Sequence, residues 1–220
     1  MKTIISLFSL LVLISACSSV QSPKTKDAKS LYEYAQKLSE QENYVDAELI
    51  YSEIKTNFPH SRYSALSKVR QADNQFADSN FLEAAASYKI FLELHPRHKE
   101  AEYALYKRAE SLLKDTPKNI ARDQTGAYRA INACRRFLQK HPQSKYKDQI
   151  KEIHTNARIK LALKESYVAK FYEKQKFYQA SKDRWTLIFN VFKDIKDTEK
   201  GATLLKQAEE KIKSLEAKLS

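Results

Sequence analysis

One stretch of this chain recurs 37 residues further on, and this repetition limits the fold more than any other feature of the sequence. Residues 43–63 match residues 80–100, and the shared positions are mostly small, aromatic or proline. The matched pairs are Tyr44 and Phe81, Ala47 and Ala84, Tyr51 and Tyr88, Ile54 and Phe91, and Pro59 and Pro96. Self-similarity at a fixed period of roughly 20–50 residues is typical of solenoid proteins. The repetition therefore predicts a row of similar units.

Two more copies follow, although each departs from the first pair. The third lies 46 residues after the second and contributes Ala127, Ala130, Cys134, Phe137 and Pro142. The fourth is weaker, has no proline and contributes Phe177, Ala180, Arg184 and Leu187. Before the third copy the spacing grows by nine residues at 114–122. We expect this insertion to form a long loop or an extension of the helix pair, at one edge of the array.

The repeated positions have the spacing of antiparallel helix pairs. Ala35 and Ala72 stand twelve residues before Ala47 and Ala84, and small side chains let two helices approach to about 8–10 Å. Each proline ends a helix because it has no amide N–H. The chain has only two glycines and five prolines, which is little turn material for a β protein. The predicted fold is an all-α solenoid of antiparallel helix pairs.

The C-terminal segment, residues 197–220, predicts a single amphipathic helix that caps the last repeat. A coiled coil is the alternative, but about three turns of pattern favour it less. The predicted apolar face consists of Ala202, Leu205, Ala208, Ile212, Leu215 and Leu219.

The N-terminus has the pattern of an export signal. Lys2 precedes an apolar stretch at 4–14, which is shorter than the roughly 20 residues that a membrane-spanning helix needs. We expect residues 1–16 to be removed and residues 17–27, which are polar and contain Pro23, to form a flexible tether.

The end of this signal, "ISAC", resembles the bacterial lipobox. The resemblance implies that Cys17 receives lipid and becomes the first residue of the mature chain. The alternative is a chance cysteine near an ordinary cleavage site. Several acyl chains anchor firmly, because each buried methylene contributes about 0.8 kcal/mol. By resemblance to enterobacterial lipoproteins, Ser18 after the cysteine favours the outer membrane.

Charge and the remaining motifs restrict the function classes. The formal net charge is +12, which suits nucleic acid, anionic headgroups or an acidic protein. Export makes nucleic acid an unexpected partner. The sequence has no glycine-rich phosphate loop and no paired nucleophile and base. Three of its five histidines lie at the repeat turns beside proline, so the repeat explains their spacing and we expect no metal site. With these motifs absent, we also expect no cofactor and no enzymatic activity.

The first helices of a stacked array line its concave surface. Alignment on Ala35, Ala72 and Ala109 predicts an aromatic and apolar groove there, suited to an extended peptide or a helix rich in aromatics. Lys29 is a nearby cation for a carboxylate. The alternative is that several of these side chains pack under the next repeat. The predicted groove residues are Tyr32, Leu66, Val69, Phe76, Tyr103 and Tyr106.

The small-residue, tyrosine and proline pattern resembles the tetratricopeptide repeat, whose usual length is about 34 residues. The resemblance covers residues 28–192 and implies the same solenoid of helix pairs.

Together, the lipobox, tether and repeats resemble the BamD/ComL family of outer-membrane lipoproteins of the β-barrel assembly machinery. Two segments carry the more specific resemblance. Residues 122–146 match a third-repeat segment through Asp123, Gln124, Thr125, Pro142, Ser144 and Tyr146. Residues 168–185 match through Ala169, Tyr172, Ala180 and Arg184.

The resemblance implies a non-enzymatic scaffold that is anchored in the outer membrane and faces the periplasm. Residues 28–97, repeats one and two, are then the client-binding half, which receives unfolded outer-membrane proteins through an aromatic C-terminal signal. Residues 98–220 are the half that binds the POTRA region of a BamA-like barrel protein, and Arg184 belongs to that contact.

Two departures from the family pattern are visible. Lys176 stands where a small residue is usual, and one C-terminal helix replaces the further helix pair that the family often has. Other assembly lipoproteins are further candidate partners. A different tetratricopeptide lipoprotein, such as a secretin pilotin or an adaptor for peptidoglycan enzymes, is the alternative function.

The lipid anchor is directly testable. Cys17→Ser removes the acylated thiol, so we expect an unprocessed or soluble species on fractionation of the cell envelope. A Cys17→Ser protein that is still extracted only by detergent would contradict acylation at this position.

Overall fold

The computed structural model describes Pro23 and residues 26–219, and within these residues the regular structure is entirely helical. Cys17, the export signal and most of the tether lie outside the described residues. The α-helices of the described part are α1 (Ala28–Glu40), α2 (Tyr44–Asn57), α3 (Arg62–Ala77), α4 (Phe81–Leu94), α5 (Ala101–Lys114), α6 (Thr125–Lys140), α7 (Lys147–Lys174), α8 (Tyr178–Val191) and α9 (Glu199–Leu219).

Each helix packs against the next one along the chain, and α9 packs against α8 and α7. The alanines that define the repeat are completely buried between the paired helices. Tyr51, Tyr88 and Phe137 fill the larger positions and are at most 1% exposed. The predicted all-α solenoid with a C-terminal capping helix is therefore confirmed. The buried alanines are Ala35, Ala47, Ala72, Ala84, Ala109 and Ala130.

The core is built by stacking, because the first helix of one repeat covers the pair before it. Tyr63 and Leu66 of α3 pack on the cluster of α1 and α2. Ala104 of α5 joins the cluster of α3 and α4, and Ile150 of α7 joins the cluster that contains Cys134 of α6. Burial raises the pKa of the Cys134 thiol to about 12, so this cysteine behaves as a small apolar side chain.

Three helices end at the residue before a proline, as the sequence predicts. Phe58, His95 and His141 terminate α2, α4 and α6 with φ between −131° and −134°. The ring of a following proline disfavours helical geometry at the preceding residue. Helix α8 has no such proline and is followed by a short 3₁₀ turn, Lys193–Ile195.

A residue with left-handed backbone geometry precedes the second helix of three repeats. Glu42, Ser79 and Lys176 have φ of 60°, 63° and 63°. Each stands five residues before a buried small residue, which is Ala47, Ala84 or Ser181. The third repeat uses a loop instead, residues 115–124, which contains most of the predicted insertion.

This spacing corrects the alignment of the fourth copy by one residue. The sequence match placed Ala180, Arg184 and Leu187 in the core positions, but none of the three is buried. The structure instead buries Ser181, Trp185 and Ile188. The physical reason is that α8 begins at Tyr178, two residues after the left-handed residue, just as α2 and α4 begin two residues after theirs.

The capping helix α9 is also rotated relative to its predicted face. Of the predicted face, Ala208 and Leu215 are buried, and Leu205 and Ile212 are half-buried against the same core. Gly201 and Leu204 are also buried, whereas Leu219 is 45% exposed and Ala202 is exposed. Gly201 fixes this rotation, because a Cβ at that position would lie 2.0 Å from the carbonyl oxygen of Ile195. Only glycine lets the helix pass this close to the preceding turn.

The left-handed turn before α8 gives a stability prediction. A left-handed conformation costs a non-glycine residue roughly 1–2 kcal/mol. Glycine avoids this cost, but it loses more conformational entropy on folding, which cancels part of the gain in stability. Lys176→Gly should therefore raise the free energy of unfolding by about 0.5–1 kcal/mol in urea titrations. Lys174→Gly, two residues earlier in helical geometry, is the matched control and should be destabilising. Equal effects of the two changes would contradict strain at Lys176.

Candidate client groove and partner surface

The six predicted groove residues lie on α1, α3 and α5, the first helices of the first three repeats. Leu66, Phe76, Tyr103 and Tyr106 are half-buried. Val69 is completely buried in the cluster of α3 and α4. It therefore belongs to the core, and its prediction as a groove residue is wrong. Tyr32 holds the same repeat position 37 residues earlier and is likewise buried, at 7% exposure, in the cluster of α1 and α2, where it packs against the ring of Tyr63 at 5.3 Å. Its prediction as a groove residue is therefore also wrong, and for these two residues the structure supports the alternative of packing within the array.

A carboxylate on α3 ties the tyrosines of this surface together. Asp73 accepts hydrogen bonds from the hydroxyl groups of Tyr88 and of Tyr103, the latter at 2.8 Å. It also accepts one from Nη1 of Arg70 at 2.6 Å. Arg70 in turn donates from Nε to the hydroxyl oxygen of Tyr32 at 3.2 Å. One network thus joins side chains of the first, second and third repeats.

The charges of this network are stable at neutral pH. Burial, reinforced by the negative charge of Asp73, raises the pKa of Tyr88 and of Tyr103 well above the ordinary value. Both tyrosines therefore remain hydrogen-bond donors. Burial opposes the charge on Arg70, but its contacts with Asp73 outweigh this effect and keep its pKa above the usual value. The two tyrosine hydroxyl groups and the guanidinium of Arg70 therefore keep one protonation state around neutral pH.

The aromatic surface continues past this network toward α7. The ring of Tyr106 stacks on that of Tyr146, with centroids 5.0 Å apart and planes at 9°. The ammonium of Lys107 lies 3.4 Å from the ring centroid of Phe76, an attractive cation–π contact. Tyr146 was not among the predicted groove residues, because it precedes α7 and lies outside the first helices that the alignment considered.

Burial raises the pKa of Tyr106 to about 12, so its hydroxyl also stays protonated. The surface presents aromatic faces, tyrosine hydroxyl groups and lysine ammonium groups. Such a mixture can hold an extended segment with apolar and acidic side chains. Within the described residues, no cluster of histidine, cysteine and carboxylate side chains could hold a metal ion.

Arg184 lies on a second surface, at the other end of the array. Its side chain is 41% exposed, and Nη1 donates to Oε2 of Glu165 on α7 at 2.8 Å. The hydrogen bond to Glu165 raises the pKa of the guanidinium, and a hydrogen bond with Tyr172 contributes to the same effect. A guanidinium has five N–H donors, so donors remain for a further carboxylate.

Exposed apolar side chains surround this arginine along α8. Phe177, Leu187 and Val191 are 62%, 38% and 51% exposed. Together with Ala180 and Arg184 they recur at steps of three and four residues, which places them on one face of the helix. We call these five residues the α8 face. Sequence reasoning found the spacing but assigned it to the core.

No helix of the described part is both long enough and apolar enough to span a membrane.

The model of the outer membrane lipoprotein family YfiO matches residues 24–219 of the chain. Among similar proteins, the outer membrane protein assembly factor BamD of Neisseria gonorrhoeae is 28% identical, covering 96% of this chain and 85% of the relative. BamD of Xylella fastidiosa (strain Temecula1) is 23% identical, covering 84% of this chain and 68% of the relative. Since the family model matches nearly the whole folded part, the chain belongs to the YfiO family of outer membrane lipoproteins.

Proposed function

We propose that this chain is a non-enzymatic lipoprotein scaffold of the β-barrel assembly machinery, anchored through Cys17 and facing the periplasm. Its second half binds the POTRA region of a BamA-like barrel protein, and its first half, with a groove that continues onto the third repeat, receives unfolded outer-membrane proteins. The family membership and the relatives named as outer membrane protein assembly factors support this role.

The observation that carries the proposal is the exposed α8 face. Apolar side chains that are exposed in a row, with a charged residue among them, are typical of a surface that another protein covers. Arginine is enriched among the residues that dominate binding energy at such surfaces. Glu165 orients Arg184 by an ion pair on one edge, and the exposed edge can contact a carboxylate of the partner.

The α8 face would also make partner binding specific. The apolar residues Phe177, Leu187 and Val191 contribute buried area in the complex, whereas the guanidinium requires an acceptor at one defined place. A partner without that acceptor would desolvate the N–H donors of Arg184 that Glu165 does not engage and leave them unsatisfied, which costs about 1–3 kcal/mol. We therefore expect an acidic residue flanked by apolar residues on the barrel protein.

Pull-down from detergent-solubilised envelope tests this half of the proposal. Arg184→Glu and Leu187→Glu should each reduce recovery of the POTRA-bearing barrel protein about tenfold or more, since hot-spot residues contribute roughly 2 kcal/mol. Arg184→Glu also breaks the ion pair with Glu165, whereas Leu187→Glu breaks no ion pair. A loss of recovery with Leu187→Glu therefore reports on binding and not on the broken ion pair. Arg129→Glu on α6, which is exposed and carries the same charge change, is the control and should retain the partner.

Unchanged recovery with both α8 variants would remove this face from the interface. Recovery of a secretin or of a peptidoglycan enzyme in place of the barrel protein would instead support the alternative adaptor function.

The groove on the first three repeats is the proposed client surface. Its stacked rings, Tyr106 and Tyr146, match a peptide with aromatic side chains. The ammonium of Lys107 lies over the ring of Phe76 and is already paired with Glu110 at 2.7 Å. The Asp73 network holds the surrounding tyrosines in one arrangement, so little side-chain entropy is lost on binding.

Client binding can be measured with a synthetic peptide that ends in phenylalanine with a free carboxylate. Tyr106→Ser removes one ring of the stacked pair and should weaken binding about tenfold, as expected for an aromatic residue that dominates an interface. Tyr128→Ser is the matched control, because Tyr128 is 55% exposed on α6, outside the groove. Equal affinities of the two variants would exclude Tyr106 from the client site.

A further inference from the structure

The insertion before the third repeat forms one wall of a pocket that the proposed function does not use. The loop 115–124 contributes Lys118 and Ile120, α7 contributes Ile159, Lys160 and Leu163, and α9 contributes Lys200. The pocket has a volume of about 500 Å³, within the range of small-molecule sites. The sequence singled out this insertion, but nothing in the repeat array itself requires it.

The loop is fixed in place by hydrogen bonds to α7. The ammonium of Lys160 donates to the carbonyl oxygen of Thr116 at 2.9 Å, and that of Lys164 donates to the carbonyl oxygen of Ala121 at 2.7 Å. Within the loop, the Gln124 amide donates to the carbonyl oxygen of Asn119 at 3.2 Å. The wall is therefore preformed, and a ligand does not have to order it.

The charges around the pocket are all of one sign. Among the described residues that line it, three are lysines and none is acidic. Lys118 and Lys200 form no ion pair with any described residue. Burial lowers the pKa of the Lys160 ammonium, and the charge of Lys200 lowers it further. An anion placed beside Lys160 and Lys200 would relieve this repulsion.

The rest of the lining is mostly apolar, and its polar side chains are Asn156, which is exposed, and Thr198. The apolar lining residues are Leu113, Ile120, Ile159 and Leu163. Thr198 already donates to the carbonyl oxygen of Ile195 and accepts from the amide of Gly201. The carbonyl oxygens of Thr116 and Ala121 are taken by lysines. A peptide backbone would find little to pair with here, whereas a hydrocarbon chain needs no partner.

We propose that this pocket binds a small anionic amphiphile, a carboxylate on a linear apolar chain, with the carboxylate between Lys118, Lys160 and Lys200 and the chain against the apolar lining. The proposal does not depend on barrel-protein or client binding. Its site lies between the insertion, α7 and α9. It adjoins the pocket beside Tyr106, with which it shares Leu113 and Asn156, but it contains neither Tyr106 nor any residue of the α8 face.

Octanoate is the probe, titrated into the mature chain carrying Cys17→Ser, which keeps every described residue and needs no detergent. We expect octanoate to shift the methyl NMR resonances of Leu113, Ile120, Ile159 and Leu163. Octan-1-ol, which has the same chain without the charge, should bind about tenfold more weakly, because partly exposed ion pairs each contribute up to about 1 kcal/mol.

The double variant Lys118→Gln/Lys200→Gln should weaken octanoate binding by a similar factor. Lys140→Gln/Lys151→Gln, the same change of net charge outside the pocket, should leave the affinity unchanged. The proposal is overturned by unshifted pocket methyl groups, by equal affinity of octanoate for both double variants, or by equal affinity of octanoate and octan-1-ol. Tighter binding of a short peptide with a free C-terminal leucine would also overturn it, in favour of a site for chain termini.

Discussion

The close approach of paired helices at alanine is the constraint on which the rest of the structure depends. Ala35, Ala47, Ala72 and Ala84 have no exposed surface, so the two helices of each repeat touch almost backbone to backbone. The larger side chains at Tyr51 and Tyr88 are then left to contact the following repeat. Each repeat completes the core of the one before it, and α9 does the same for the last. Stability in such an array is approximately the sum of repeats and their interfaces.

The same stacking explains how a binding surface becomes rigid. Asp73 lies one residue after the buried Ala72, so its carboxylate is held where tyrosines of neighbouring repeats converge. A carboxylate bonded by three donors fixes the side chains around it. This aromatic surface is therefore shaped by the core beneath it, and contacts within the protein hold its rings in place. The network also explains why Tyr32, Tyr103 and Tyr88 are tyrosines, since phenylalanine would leave Arg70 or Asp73 with fewer partners.

The local features of this fold could be predicted from sequence, whereas the contacts between repeats could not. The alanine spacing and the prolines at 59, 96 and 142 act through local backbone geometry. They correctly predicted the helix pairs and the residues at which the helices end. The Asp73 network joins Tyr103 to Asp73 and Arg70 to Tyr32, pairs 30 and 38 positions apart on different repeats, and no periodicity identifies such pairs. The rotation of α9 depends on Gly201 passing Ile195, which is likewise a tertiary contact. The sequence identified the insertion as an extra segment, but its lysine-lined pocket requires α7 and α9 as well.

The fourth repeat shows why an apolar pattern alone does not distinguish a core from an interface. Phe177, Leu187 and Val191 have the helical spacing of a buried face, yet the buried face of α8 is that of Trp185 and Ile188. The distinguishing residue is Arg184, which stands in the middle of the exposed row. A guanidinium in a closed core would lose its hydration and require partners for five donors, whereas at a surface Arg184 is satisfied by Glu165 and solvent. A single arginine within an apolar helical stripe therefore argues against a closed core, and this criterion is available from sequence.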